Sequence, residues 1–158
     1  MVRERGEKLI ATNRRARHEY NIEKTYEAGL VLTGTEVKSL RQGRANLSDG
    51  YAYIDRNEAW LDAVHIPEYS QGHWTNHASK RVRKLLLNRD EIVKISHAIS
   101  AGGYTLVPLK LYFSDGRVKV EIAIAKGKRE YDKRQTLRER QDTREAERAM
   151  RTRNRMGE

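Results

Sequence analysis

The sequence predicts a mainly β fold, a small closed antiparallel barrel with about three inserted short helices and a basic tail behind it. Three observations carry that expectation. Ser114-Asp115-Gly116 lies between two long alternating segments, Tyr104 to Phe113 and Arg117 to Lys126, and Asp-Gly in that setting is a strong hairpin signal. A second reversal, Asp55-Arg56-Asn57-Glu58, joins two shorter runs of β-forming residues. From Lys128 to Glu158 large apolar residues nearly vanish. Such a segment cannot bury enough surface to offset its ordering entropy and is expected to be disordered when free.

Composition narrows the class. A chain of 158 residues can build one domain with a real core. Its formal net charge is +10, with 34% of residues charged. That excess favours a polyanionic partner, whether RNA, DNA or an acidic membrane face. No run of apolar residues is long enough to span a bilayer. The first twenty residues are basic but lack the apolar core of a signal peptide. Without cysteine there is neither a disulfide framework nor a thiolate metal site. Together these features fit a cytoplasmic monomer. The chain also lacks the P-loop, the dinucleotide fingerprint and the common hydrolase motifs. It therefore reads as a binding protein without a cofactor rather than an enzyme.

The elements follow in order. Residues 1–12 are polar and read as a flexible N-terminus. Asn13-Arg14-Arg15-Ala16-Arg17-His18-Glu19-Tyr20 sets three arginines beside a histidine and a tyrosine. That group could meet phosphates and stack on a base, or simply lead into a strand. Tyr20 to Leu32 reads as extended, with Gly29 permitting a bend or bulge. Glu27 on this strand could accept hydrogen bonds from base or ribose, or pair with a neighbouring cation.

Thr33 and Glu36 have capping-box spacing, so a helix starts near Gly34. Val37 and Leu40 share one face of it, and Gly43 suits its exit. Lys38 and Arg41 lie on the other face, as a docking site for a polyanion or as an ordinary solvated face. Asn46 to Gly50 is a turn, Tyr51 to Ile54 a strand, and Ala59 to Ile66 the return strand that Pro67 stops. Residues 68–80 form a polar loop. His73 and His77 are four apart, but Gly72 and Asn76 argue against the helix a metal pair would need.

Arg81-Val82-Arg83-Lys84-Leu85-Leu86-Leu87 joins a basic cluster to three leucines. All three leucines cannot point inward from one helical turn, so one is exposed. Asn88 and Glu91 can cap a helix whose buried face is Ile92, Ile95 and Ile99, ending at Gly102-Gly103. In the last hairpin Val118, Val120, Ile122 and Ile124 face one way and Lys119 the other. Pro108 must sit at an edge or a bulge. Five strands with helices inserted near residues 35 and 90 make an OB-type barrel the leading topology, and such barrels bind oligonucleotides. The tail from Lys128 carries eleven Lys/Arg against seven Asp/Glu.

Several long motifs occur in order: NRRARHEY at 13–20, EAG at 27–29, GTEVKSLRQGRANLSD at 34–49, RVRKLLL at 81–87 and AKGKREYDKR at 125–134. With them the chain resembles the SsrA-binding protein family, small protein B, the protein partner of bacterial transfer-messenger RNA. The resemblance covers about Ile10 to Arg134. It implies an OB-like barrel over 13–127, and a 128–158 tail that is disordered when free and helical on the ribosome. It implies binding to the tRNA-like domain of that RNA in place of the missing anticodon arm, and delivery to stalled ribosomes.

It places RNA contacts at His18, Glu27, Leu86 and Lys119, to which the basic clusters add Asn13, Arg14, Lys38, Arg41, Arg83 and Lys84. Lys128, Tyr131, Asp132, Lys133 and Arg134 would be the tail residues that enter the empty messenger channel near the decoding centre. The chain departs from the pattern at Ala78-Ser79, where Asp-Pro is common, which leaves the helix entry before Arg81 open. It departs again at Gly50, where serine is common, a minor change for a turn. A ribosome-associated RNA hydrolase using Glu27 or Glu36 with a histidine is the alternative from a different class. A general OB-type single-strand binder is another.

Overall fold

The computed structural model describes residues 6–70, 76–128, 138 and 140–151. The chain divides into two compact units, Met1–Gly127 and Lys128–Glu158. In the first, the strands are β1 Glu7–Thr12, β2 Tyr20–Leu30, β3 Tyr51–Asp55, β4 Glu58–Asp62, β5 Arg83–Leu86, β6 Tyr104–Ser114 and β7 Arg117–Gly127. The helices are α1 Arg14–Glu19, α2 Gly34–Arg41 and α3 Arg89–Ser100. All seven strands join one antiparallel sheet in the order β1-β6-β3-β4-β5-β2-β7, and β6 also pairs with β7. That last pairing turns β6-β3-β4-β5-β2-β7 into a ring, with β1 laid beside β6.

Side-chain alternation fills the ring. Tyr26, Ala28 and Leu30 of β2, Leu85 of β5, Leu111 and Phe113 of β6 and Val118 to Ile124 at alternate positions of β7 form the inner core. Leu40 of α2 and Ile95 of α3 are fully buried against it. Removing a side chain of this size from water contributes about 1.5–3 kcal/mol. A second, smaller cluster lies outside the ring, where Ala16 of α1 covers Val107, Leu109, Ala123 and Ala125.

Local chemistry explains the elements. Asp115 and Gly116 both take positive φ, 50° and 81°, as the two-residue turn between β6 and β7 requires. Arg56 and Asn57 do the same between β3 and β4, at 51° and 63°. Thr33 and Glu36 form the reciprocal capping box of α2. The ladder between β6 and β7 slips in register between Pro108 and Lys110, the bulge that the missing proline N–H demands.

The structure also corrects the sequence reading. Glu7–Thr12 is not a flexible lead but β1, paired along β6 from Ser114 to Lys110. Residues 14–19 are a short helix whose cap is Asn13, with its Oδ1 accepting from the Ala16 N–H at 3.1 Å. The RVRKLLL segment holds β5 rather than a helical turn, between β2 and β4. The strand after the 55–58 turn stops at Asp62, since Ala63 turns to φ 58°, and only an isolated bridge between His65 and Asn46 continues it.

Gly50 is not a minor change here. A Cβ on it would lie 2.7 Å from Val64 Cγ2 and 3.0 Å from Pro108 Cγ. At Ala78-Ser79 the backbone holds the chain, since the Ser79 carbonyl accepts from the Ile66 N–H at 2.9 Å. In the second unit, residues 140–151 are helical and exposed in the isolated chain. Gln141 donates through Nε2 to Glu145 Oε1, one turn on, at 3.4 Å.

Candidate nucleic-acid interface

Strand pairing assembles the site from distant parts of the chain. Leu9 of β1 faces Tyr112 of β6, Tyr112 faces Lys119 of β7, Lys119 faces Gly29 of β2, and Gly29 faces Leu86 of β5. Cross-strand partners share a face of a sheet. These five positions therefore form one lateral row on the outer surface of the ring. A second row lies beside it, with Lys110 opposite Glu121 and Glu121 opposite Glu27. The core residues of the same strands point the other way.

Each member has a physical role. Leu86 is 54% exposed and Leu9 58%, apolar groups held at the two ends of the row. Gly29 makes room rather than a bend: a Cβ there would come within 3.2 Å of Leu86 Cβ. Tyr112 is buried among its neighbours, with the Lys110 ammonium 4.9 Å from its ring centre. Its hydroxyl donates to Glu27 Oε2 at 2.6 Å. Burial and the hydrogen bond to Glu27 push the Tyr112 phenol far above its ordinary value. Glu27 is thereby a fixed, exposed acceptor. Glu121 is met by Lys110 at 3.7 Å and by Arg17 of α1 at 3.9 Å, so α1 flanks the second row. Lys119 has no ion pair among the described residues and can reach a phosphate.

Of the residues expected at an RNA site, Glu27, Leu86 and Lys119 thus share one face. Arg14 is exposed and His18 half-buried on α1, beside that face through Arg17. Lys84 also points outward from β5, in phase with Leu86, but it stands opposite Trp60 of β4 and its ammonium meets Glu58 at 3.3 Å. Lys38 and Arg41 are exposed on α2, with Lys38 set over the Tyr69 ring at 5.6 Å. They do not belong to either row. Tyr131 to Arg134 lie outside the described residues, while Lys128 is half-buried.

Two expected contacts are overturned. Asn13 is 2% exposed; besides capping α1 it donates through Nδ2 to the Pro108 carbonyl at 2.9 Å and to the Leu47 carbonyl at 3.2 Å. Arg83 is fully buried. It donates through Nε to Glu36 Oε2, through Nη1 to the Val64 carbonyl at 2.7 Å and through Nη2 to the Ser79 carbonyl at 3.1 Å. Arg81 holds the other Glu36 oxygen at 2.5 Å. Neither Asn13 nor Arg83 can touch RNA, because every polar arm is committed inside the protein.

The same cluster removes Glu36 as an acid or base. Burial alone would raise its carboxyl, but hydrogen bonds from Arg81, Thr33 and Arg83 outweigh it and hold the group below the usual carboxylate range. His77 is closed to a metal, with one ring nitrogen against the Ile66 carbonyl and the other against Thr35 Oγ1, both at 2.9 Å. His73 lies outside the described residues. Tyr112, Gly29 and Leu9 are the members that sequence reasoning missed. Their signal is register, which appears only once β1, β5 and the β6 bulge are placed.

Comparison with known proteins places this geometry. The family described as "SmpB protein" matches residues 10–152. The chain is 72% identical over its full length, and the relative's full length, to the SsrA-binding protein of Clavibacter michiganensis subsp. michiganensis (strain NCPPB 382). It is 70% identical, again with full coverage of both chains, to the SsrA-binding protein of Leifsonia xyli subsp. xyli (strain CTCB07). It is 66% identical to that of Streptomyces coelicolor, over 95% of this chain and 94% of the relative. A solved structure described as "tmRNA-SmpB: a journey to the center of the bacterial ribosome" superposes with a TM-score of 0.65 at 42% identity, covering 81% of this chain and 94% of that one. Among the described residues no helix is long and apolar enough to cross a membrane.

Proposed function

The chain belongs to the SmpB protein family, and from that premise we propose that it binds the tRNA-like domain of transfer-messenger RNA and delivers it to stalled ribosomes in trans-translation. It is an RNA-binding protein, not an enzyme. The ring is an OB-type barrel standing in for the missing anticodon arm, and the protein works in the cytoplasm as a monomer. One observation carries the reading: the row through Lys119, Gly29 and Leu86, beside a Glu27 fixed by Tyr112. It offers a cation for phosphate, an apolar surface for a base or ribose, and an oriented acceptor for a base or hydroxyl donor. A folded RNA with a defined elbow suits such a set better than a flexible single strand, which would call for successive stacking groups.

The tail has a separate task. Lys128, Tyr131, Asp132, Lys133 and Arg134 enter the empty messenger channel, where an aromatic can stack and cations meet phosphates. A chain ending at Gly127 tests the division. Residues 128–158 hold eleven positive and seven negative side chains, a net +4 of the total +10. The remaining +6 still attracts RNA. The shortened chain should bind the tRNA-like domain with a modest loss in a filter assay, yet fail to support peptide tagging on a ribosome stalled at a message end. Normal tagging would refute the tail's role. Equal loss of both activities would place the tail in the RNA site.

A further inference from the structure

The opposite wall of the ring has a different character. β3 and β4 lie half-way round it from β2 and β7. Their outward positions alternate with the core residues Ala52, Ala59 and Leu61 and pair rung by rung: Tyr51 with Asp62, Tyr53 with Trp60, Asp55 with Glu58. These six side chains are three aromatics and three carboxylates, with no cation among them, in a chain of net charge +10. Tyr51 is 45% exposed; its ring centre is 6.0 Å from that of Tyr53, and its hydroxyl donates to Asp62 Oδ2 at 3.0 Å. Tyr53 and Trp60 are half-exposed at the centre. The neighbouring cations are Arg56 in the turn and Lys84 on β5, and Lys84 meets Glu58 in an exposed pair that a partner can displace.

We propose that this wall is a docking surface for an arginine-rich protein segment. Carboxylates at both ends repel a nucleic-acid backbone and attract cations. Between them the aromatic faces receive a guanidinium by stacking. Both strands are paired on each side within the ring, so recognition is through side chains and no strand is added. Outer rungs four residues apart are separated by about 13 Å at the strand rise. An extended peptide running alongside would place every second side chain on the wall, with arginines at positions i and i+4 over the carboxylates and one at i+2 over Trp60.

Fluorescein-labelled Arg-Gly-Arg-Gly-Arg titrated with the full-length chain tests this. Saturable binding is expected, with movement of the Trp60 indole N–H resonance. Asp55→Asn with Glu58→Gln and Asp62→Asn should weaken it by about tenfold or more. The isomeric peptide Arg-Arg-Arg-Gly-Gly should bind the native chain more weakly. Lys119→Ala should leave peptide binding intact, which separates this face from the RNA site. Absence of saturable binding, or equal affinity in the neutralised variant, would overturn the proposal. So would movement of the Trp60 indole N–H resonance on adding hexauridylate in the absence of peptide, which would make the wall an RNA-stacking surface instead.

Discussion

Glu36 and Glu27 each stand near basic groups on the same ring, and they do opposite work. Glu36 is sealed under α2 with Arg83 buried beneath it and Arg81 across it. Glu27 stands on the outer face, fixed by the Tyr112 phenol and open to solvent. In the first region both carboxylate oxygens are held by guanidiniums, and the charges serve the fold. In the second the acceptor, a Lys119 without an ion pair among the described residues, and the exposed Leu86 are left for something else. Residue type does not distinguish Arg83 from Lys119; the phase of each on its strand does.

The largest expected effect tests the buried region. Glu36→Gln leaves Arg83 as an uncompensated buried cation, and breaking such a pair costs about 3–5 kcal/mol. Chemical denaturation should show the loss, and RNA binding should fall only as the folded fraction falls. The native protein should show the same dependence with pH. The folded Glu36 carboxyl is lowered, so below its ordinary value, about 4.3, the unfolded chain binds more protons. Its contribution is complete above that value and is lost as pH falls through the folded one.

Leu86→Asp should do the reverse. With the side chain already exposed, the melting temperature should hold within a few degrees while affinity for the tRNA-like domain drops about tenfold, or 1.4 kcal/mol. Unfolding would place Leu86 with the buried group and erase the contrast. The smallest effect is expected for Lys119→Ala. Loss of one phosphate contact should flatten the salt dependence of RNA binding by about 0.7–0.9 in slope. An unchanged slope would remove Lys119 from the site.

Much of this was legible in the sequence. The Asp115-Gly116 hairpin, the Thr33 and Glu36 capping box and the helix around Ile95 rest on local chemistry, and so does Lys119's place opposite the core residues of β7. β1 was not legible, because a largely exposed six-residue strand with no apolar alternation is specified by its partner and not by its own pattern. α1 hides for a similar reason: only Ala16 is buried, so no apolar period marks it. Arg83 is the instructive miss. Once Leu86 is taken as the exposed leucine of a strand, Leu85 must point inward, and Arg83 is in phase with Leu85. Reading the segment as a helical turn concealed that, and the partner 47 residues away could not be inferred locally.

Gly29 and Leu86 have a consequence for how such a chain can change over time. Because a Cβ at position 29 would come within 3.2 Å of Leu86, the two positions are not free to drift separately. Enlarging residue 29 presses on the Leu86 Cβ itself, and shortening residue 86 to alanine leaves that atom in place while clearing only Cγ and Cδ1. The two positions are coupled through backbone spacing as well as side-chain size. Positions 29 and 86, on separate strands, should therefore behave as one heritable unit in any library selected for RNA binding.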